Sequence, residues 1–117
     1  KIQYLGFMPR EELFKYYHRA KATLVPIQWE EPFGLILTES MACGTPVIAF
    51  ERGSVPEIVV EGKTGFIIKD NNLEDMAGAV KKIDKIKRLD CRRHIEKNFS
   101  IQRMIDHYEK VFLEIIS

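Results

Sequence analysis

The most informative stretch for the architecture is residues 22–50, ATLVPIQWEEPFGLILTESMACGTPVIAF. It opens and closes on short, continuous apolar runs, Ala22–Ile27 and Pro46–Phe50, and such runs are typical of strands that are buried on both faces of a parallel sheet. Between them we predict a helix from Gly34 to Cys43, which the Gly-Thr-Pro sequence beginning at Gly44 would end. The stretch therefore predicts a strand, a loop, a helix and a second strand.

The residues on either side continue this alternation. Upstream, Lys1–Phe7 alternates apolar and polar residues and predicts an opening strand, and Pro9 followed by two acidic residues predicts the start of a helix. Downstream, Ser54-Val-Pro-Glu57 has the spacing of a capping box, which predicts a short helix to about Val60. A third buried strand is predicted at Phe66–Ile68.

The last third of the chain is predicted to be helical. Asn72 and Asp75 begin a helix, residues 91–98 form another, and Ser100 caps a third. The helix that begins at Asn72 has an apolar face formed by Leu73, Met76, Ala77, Val80 and Ile83. The helix capped by Ser100 has an apolar face formed by Ile101, Met104, Ile105, Tyr108, Val111, Phe112 and Ile115. Strands that alternate with helices predict an α/β fold, with a parallel sheet, right-handed crossovers and helices on both faces.

Composition limits the classes of function. The 117 residues suit one domain, and 18 basic against 17 acidic residues give a net charge of +1, which argues against a generic nucleic-acid or membrane-surface binder. Cys43 and Cys91 stand far apart, without the spacing of a zinc site or a disulfide framework, and this suits a reducing cytosol. The apolar runs are too short to cross a bilayer.

The loop before the central helix is the candidate site. In open α/β sheets, ligands bind at the carboxyl ends of strands, where this loop lies. Gly34 allows close approach to the backbone, and the free amides of Gly34, Leu35 and Ile36 would form an anion site at a helix N-terminus. Glu31 and Glu39 flank it, and carboxylates are good acceptors for vicinal sugar hydroxyls. Together these features suggest a nucleotide-sugar site.

Spacing alone also allows a simpler interpretation. One pair of Glu residues eight positions apart is expected by chance in a chain of this composition. In that case Glu31 would cap the helix and Glu39 would face solvent. On spacing alone, this simpler interpretation is the favoured one.

The wider motif changes this balance. The pattern Glu31-Pro-Phe-Gly-Leu-x-x-x-Glu39-x-Met-Ala-Cys-Gly-Thr-Pro-Val-Ile-Ala49 resembles the E-x7-E region of retaining GT-B-fold glycosyltransferases, the glycogen synthase and sucrose synthase-like superfamily known as glycosyl transferases group 1. The resemblance extends to Tyr4-Leu-Gly6 upstream, and to Gly53–Glu57 and Gly62-x-x-Gly-Phe66 downstream, so it covers nearly the whole chain.

The resemblance implies a domain organisation. Such enzymes have two Rossmann-like domains with the active site in the cleft between them, and the C-terminal domain binds the donor. Residues 1–117 are similar to the later part of that donor domain, as a single unit. We therefore expect the first strand-helix units and the N-terminal acceptor domain to lie outside this chain, and we expect residues 1–117 alone to be inactive.

The resemblance also implies roles for individual residues. Glu31 is expected to act in catalysis by contacting the hydroxyls of the transferred sugar, and Glu39 to hold the ribose hydroxyls. Thr38 is expected either to reach a phosphate or to pack in the helix. The remaining expected contacts are Phe33, Gly34 and Leu35 with the sugar and diphosphate, and Gly6, Phe7 and Met8 with the nucleotide base.

One family feature is absent from residues 1–117. Members carry an Arg and a Lys that neutralise the diphosphate leaving group, in a strand-helix unit that would precede Lys1. No residue of this chain takes their role. The family resemblance implies no metal and no further cofactor, because the helix dipole and cations act on the diphosphate in this fold.

The predicted function is transfer of a hexose from a UDP- or GDP-sugar to an acceptor sugar or lipid-linked acceptor, with retention of configuration. The alternatives are a nucleotide-binding or assembly module without turnover and a sugar-nucleotide epimerase of similar fold. The predicted location is the cytoplasm, including the inner face of the membrane. An exposed sheet edge would favour self-association of residues 1–117.

Overall fold

The computed structural model describes all of residues 1–117 and contains a three-stranded parallel sheet. Strand β1 spans Thr23–Val25, β2 spans Val47–Phe50 and β3 spans Gly65–Ile68, in the order β1-β2-β3. Leu24 pairs with Ile48, and Ile48 pairs with Phe66. The predicted α/β class and parallel pairing are therefore confirmed.

The chain has six α-helices. Their bounds are Arg10–Arg19 for α1, Leu35–Ala42 for α2, Val55–Ile58 for α3, Leu73–Lys82 for α4, Arg88–Asn98 for α5 and Ile101–Ile116 for α6. Each lies where the sequence predicts a helix. Asn72 and Ser100 accept hydrogen bonds from the amides of Asp75 and Arg103, so both act as the expected N-caps.

The core lies around the central strand. All four residues of β2 are buried, because α2 and α4 both pack against it and β1 and β3 flank it. The α4 side chains that enter the core are Met76 and Ala79, followed by Ile83 beyond the helix end. Leu73 and Val80, which the sequence pattern placed on the same face, are exposed.

Buried hydroxyls hold α2 against the sheet. The Ser40 hydroxyl lies 2.7 Å from that of Thr23 on β1 and donates to the carbonyl of Thr45 at 2.9 Å. The Thr45 hydroxyl in turn donates to the carbonyl of Tyr17 on α1. These bonds hold the orientation of α2, and with it the residues at its N-terminus.

Three local predictions are wrong. Lys1–Phe7 forms no strand, because no other segment lies beside it to pair with its backbone, and its apolar side chains are exposed. Strand β1 is not buried on both faces: it has one neighbour, and Leu24 is half exposed. Ser54 precedes α3, but its side chain caps no amide of that helix, so the capping box does not form.

Helix α6 is amphipathic and buries none of its residues. Its apolar stripe is exposed along its length, including Met104, Tyr108 and Phe112. No helix of the chain combines the length and apolar character needed to cross a bilayer. No group of three or more His, Cys, Asp and Glu residues is arranged to hold a metal ion.

Candidate functional site

The loop from β1 enters α2 through a left-handed glycine. Gly34 has φ +83° and ψ 72°, a conformation that side-chain-bearing residues rarely adopt, and it serves as the N-cap of α2. The backbone amides of Gly34, Leu35 and Ile36 have no hydrogen-bond partner in the chain. The helix therefore presents free donors and the positive end of its dipole, which together favour an anion.

Glu31 lies beside this helix start. A Cβ at Gly34 would stand 3.3 Å from Cγ of Glu31, so little space separates the carboxylate stem from the glycine. The indole N–H of Trp29 donates to Oε2 of Glu31 at 2.9 Å. This bond orients the carboxylate and leaves further lone pairs for a ligand.

Glu39 lies on α2 in a different environment. Its Oε1 forms an ion pair with the guanidinium of Arg10 at 2.8 Å, and its side chain is 14% exposed. Burial raises the pKa of Tyr17, and the Glu39 carboxylate raises it further. Glu39 therefore faces α1, and it does not simply face solvent.

A groove of about 810 Å³ runs between the body of the domain and α6. Four of the predicted site residues line it, and Arg10 from α1 lines the same groove. Those four residues are Phe33, Leu35, Thr38 and Glu39.

Thr38 and the segment from Gly6 to Met8, which were predicted to contact the phosphate and the nucleotide base, have other surroundings in the structure. The Thr38 hydroxyl donates to the carbonyl of Leu35 at 3.1 Å, and Thr38 is buried, so its present role is in the helix. Gly6 and Phe7 are exposed and make no hydrogen bond to α2. From that end of the chain it is Arg10, two residues beyond Met8, that reaches Glu39. The roles of Thr38 and of Gly6 to Met8 stay predictions.

Two residues that contact the site, Arg10 and Trp29, were not predicted. Arg10 had a usable signal, because a cation in the first turn of a helix opposes the helix dipole and so suggests a nearby anion. Gly53 and Ser54 were predicted only as part of the resemblance, in a turn that lines the cleft or packs; they lie in the turn after β2 and bond to the Glu31 loop.

Comparison with known proteins gives a family match over most of the chain. The family described as glycosyl transferases group 1 matches residues 1–100. The D-inositol 3-phosphate glycosyltransferase of Thermobifida fusca (strain YX) is 43% identical over 72 residues, which are 62% of this chain and 16% of that protein. The spore coat protein SA of Bacillus subtilis (strain 168) is 28% identical over 95% of this chain and 31% of its own length.

Among solved structures, the sucrose-phosphate synthase of Thermosynechococcus elongatus superposes with a TM-score of 0.83. It is 27% identical, and the match covers 97% of this chain and 30% of that chain. The fold is therefore that of a GT-B glycosyltransferase domain. The chain spans about a third or less of the length of the relatives it matches.

Proposed function

The chain belongs to the glycosyl transferases group 1 family, and we propose that it supplies the donor-binding part of a retaining hexosyltransferase. The donor would be a nucleotide-diphosphate sugar with UDP or GDP as its nucleotide. The acceptor would be the hydroxyl of a sugar or of a lipid-linked molecule. The cytoplasm, including the inner face of the membrane, is the proposed location.

The observation that carries this proposal is the start of α2. Free amides at Gly34, Leu35 and Ile36 suit a diphosphate, and the two carboxylates beside them suit hydroxyls rather than phosphate. A ligand that presents both groups within one molecule is a nucleotide sugar. Glu31, next to the glycine, would take the hydroxyls of the transferred sugar, and Glu39, deeper in the helix, would take those of the ribose.

The chemistry assigned to these residues is mainly electrostatic. Transfer breaks the bond between the anomeric carbon and the diphosphate oxygen and forms a bond from that carbon to the acceptor oxygen. Negative charge then develops on the leaving diphosphate, and pre-oriented amides at a helix N-terminus would stabilise it. We propose that no metal ion is required. The residues that would hold the acceptor and add positive charge lie outside residues 1–117, so the chain alone should transfer no sugar.

The test compares the two carboxylates in the full-length protein that carries this chain. Glu39→Ala should weaken binding of free UDP or GDP and of the corresponding sugar nucleotide by about ten- to a hundredfold. This is the loss of affinity expected when hydrogen bonds to a charged acceptor are removed. Glu31→Ala should leave free UDP or GDP binding unchanged and lower both sugar-nucleotide affinity and the rate. Calorimetry and initial rates give both quantities.

The matched control is Glu74→Ala, which removes an exposed carboxylate from α4. It should change none of these constants. Equal effects of Glu31→Ala and Glu39→Ala on free nucleotide binding would contradict the assignment of roles.

A further inference from the structure

The turn after β2 forms hydrogen bonds with residues 30–33, the loop that precedes α2. We call residues 52–54 the β2 turn. Its Gly53 amide donates to the carboxylate of Glu30, and its Ser54 amide donates to the carbonyl of Glu31 at 2.8 Å. The Ser54 hydroxyl donates to the carbonyl of Phe33. Three hydrogen bonds from two adjacent residues therefore reach three of the four loop residues that precede Gly34.

The use of the Ser54 hydroxyl is unusual for its position. A serine just before a helix ordinarily accepts a hydrogen bond from an amide of the first turn, which stabilises the helix by about 1 kcal/mol. In this structure the amides of Glu57 and Ile58 bond instead to the backbone carbonyl of Ser54, at 2.9 and 3.2 Å, and the side chain caps nothing. The hydroxyl, which is buried, donates to the loop, and Ser54 has a helical backbone (φ −74°, ψ −9°) in place of the extended one from which a serine caps a helix.

Gly53 permits this contact. It has φ +47°, and a Cβ at this position would overlap the carbonyl oxygen of Glu31 and stand 2.5 Å from its nitrogen. The two backbones therefore meet directly, and no side chain would fit between them. Any displacement here would move Glu31 itself, because the overlap falls on its own backbone atoms.

We propose that Ser54, with Gly53, is a positioning residue for the donor sugar: it sets the backbone of Glu31 and Phe33 so that the Glu31 carboxylate and the Gly34 amide meet the same ligand. This inference rests on the proposed function. It predicts an effect confined to the sugar and diphosphate end of the donor, because Glu39 is held separately, within α2 and by Arg10.

The test is Ser54→Ala in the full-length protein, with Thr64→Val as the matched control. Thr64 is also buried, and its hydroxyl accepts from the amide of Val60 at 2.9 Å, but it precedes β3 at the opposite end of the sheet. Both variants lose one hydroxyl bond to the backbone, so both should lower the unfolding midpoint. The donor is the sugar nucleotide that the wild-type protein binds in a screen of UDP-, GDP- and ADP-sugars.

Ser54→Ala should lower kcat/KM for that donor by about five- to tenfold and leave the affinity for the free nucleoside diphosphate within about twofold. Thr64→Val should change neither. Equal losses of kcat/KM in the two variants, or an unchanged kcat/KM in Ser54→Ala, would overturn the proposal.

Hydrogen exchange gives a second readout that does not depend on a donor. The amides of residues 53 and 54 bond to the loop, so their exchange should become about tenfold faster in Ser54→Ala and stay unchanged in Thr64→Val. Unchanged exchange at residues 53 and 54 would show that the hydroxyl does not hold the loop. A wild-type protein that binds no sugar nucleotide would instead overturn the proposed function, and the exchange result would still decide whether the β2 turn holds the loop.

Gly53→Ala extends the test to the backbone contact. If the variant folds, it should lose at least as much kcat/KM as Ser54→Ala, because the added methyl group displaces Glu31 directly. Full donor activity in folded Gly53→Ala would contradict the proposal.

Discussion

At the scale of single residues, the two carboxylates of the site differ in their partners. Glu31 receives a neutral indole N–H, whereas Glu39 pairs with the cation of Arg10, whose side chain is 63% exposed. Only the guanidinium is largely in solvent, whereas the Glu39 side chain is 14% exposed. A ribose that displaced Arg10 would return this cation to water and would supply hydroxyl donors to the half-buried carboxylate in its place.

Trp29 offers the sharpest test at this scale. Trp29→Phe keeps an aromatic ring and removes the N–H that orients Glu31, at a position where the side chain is 62% exposed. We expect kcat/KM for the sugar nucleotide to fall about fivefold, because this bond to a carboxylate is exposed and water partly replaces it, with the unfolding midpoint unchanged.

Binding of the free nucleoside diphosphate serves as the internal control for Trp29→Phe. It should not change, because the Trp29 bond reaches Glu31 and not Glu39. A loss of free diphosphate affinity as large as the loss of kcat/KM would assign Trp29 to the nucleotide and not to the sugar.

At the scale of elements, the start of α2 combines three properties in one turn: a left-handed glycine, free amides and a neighbouring carboxylate. Both ends of the helix are glycines with positive φ, +83° at Gly34 and +80° at Gly44. They differ in what surrounds them. A Cβ at Gly34 would meet Leu37 at 3.0 Å and Glu31 at 3.3 Å, whereas one at Gly44 would meet Arg88 at 3.4 Å.

This difference makes Gly44→Ala the matched control for Gly34→Ala. Each should lower the free energy of unfolding by at least about 1–2 kcal/mol, because both place a side chain in the left-handed region, and Gly34→Ala adds the 3.0 Å approach to Leu37. Only Gly34→Ala should weaken sugar-nucleotide binding, by tenfold or more, since its methyl group would press on the stem of Glu31 and on the first turn of α2, where the free amides lie. Denaturant titration and calorimetry measure the two effects, and equal losses of affinity would show that the diphosphate is bound elsewhere.

Helix α6 forms from local signals, but the burial of its apolar stripe does not follow from them. Its apolar stripe and its serine cap predicted the helix correctly, because both depend only on residues within a few positions of one another. Whether that stripe is covered depends on what packs against it. Within residues 1–117 it is exposed. The self-association that we expect from the exposed sheet edge stays a prediction.

At the scale of the whole molecule, the buried core couples stability to pH through Cys91. Burial raises the pKa of its thiol from 9.0 to about 11. An unfolded chain ionises this thiol near pH 9, whereas the folded protein keeps it neutral up to about pH 11. Ionisation therefore favours the unfolded chain between these values, and the free energy of unfolding should fall as the pH rises through this range.

Cys91→Ala should remove that dependence. The variant should be less stable than the wild type at pH 7.5, because it leaves a small cavity in the core, but its urea midpoint should fall less between pH 9 and pH 10.5. Urea titrations at these three pH values provide the measurement. Parallel declines in the two proteins would show that Cys91 does not contribute to the alkaline loss of stability.

Much of the architecture could be predicted from residues close together in the chain. The apolar run of β2, the glycines at both ends of α2 and the caps Asn72 and Ser100 each encode a backbone conformation locally, and the α/β class follows from their order. The Glu31 to Glu39 spacing, together with the family motif, predicted that the candidate site lies in the loop before α2.

Other features arose from contacts between distant residues, and no local pattern encodes them. Lys1–Phe7 has the alternation of a strand but no neighbour to bond with, so it forms none. The Ser54 hydroxyl has the sequence position of a helix cap, but it caps no amide and donates to the loop 21 residues earlier. Arg10 reaches Glu39 because α1 and α2 pack together. Hydrogen bonds and ion pairs form between whatever groups packing brings within about 3 Å, so their partners follow from the folded arrangement.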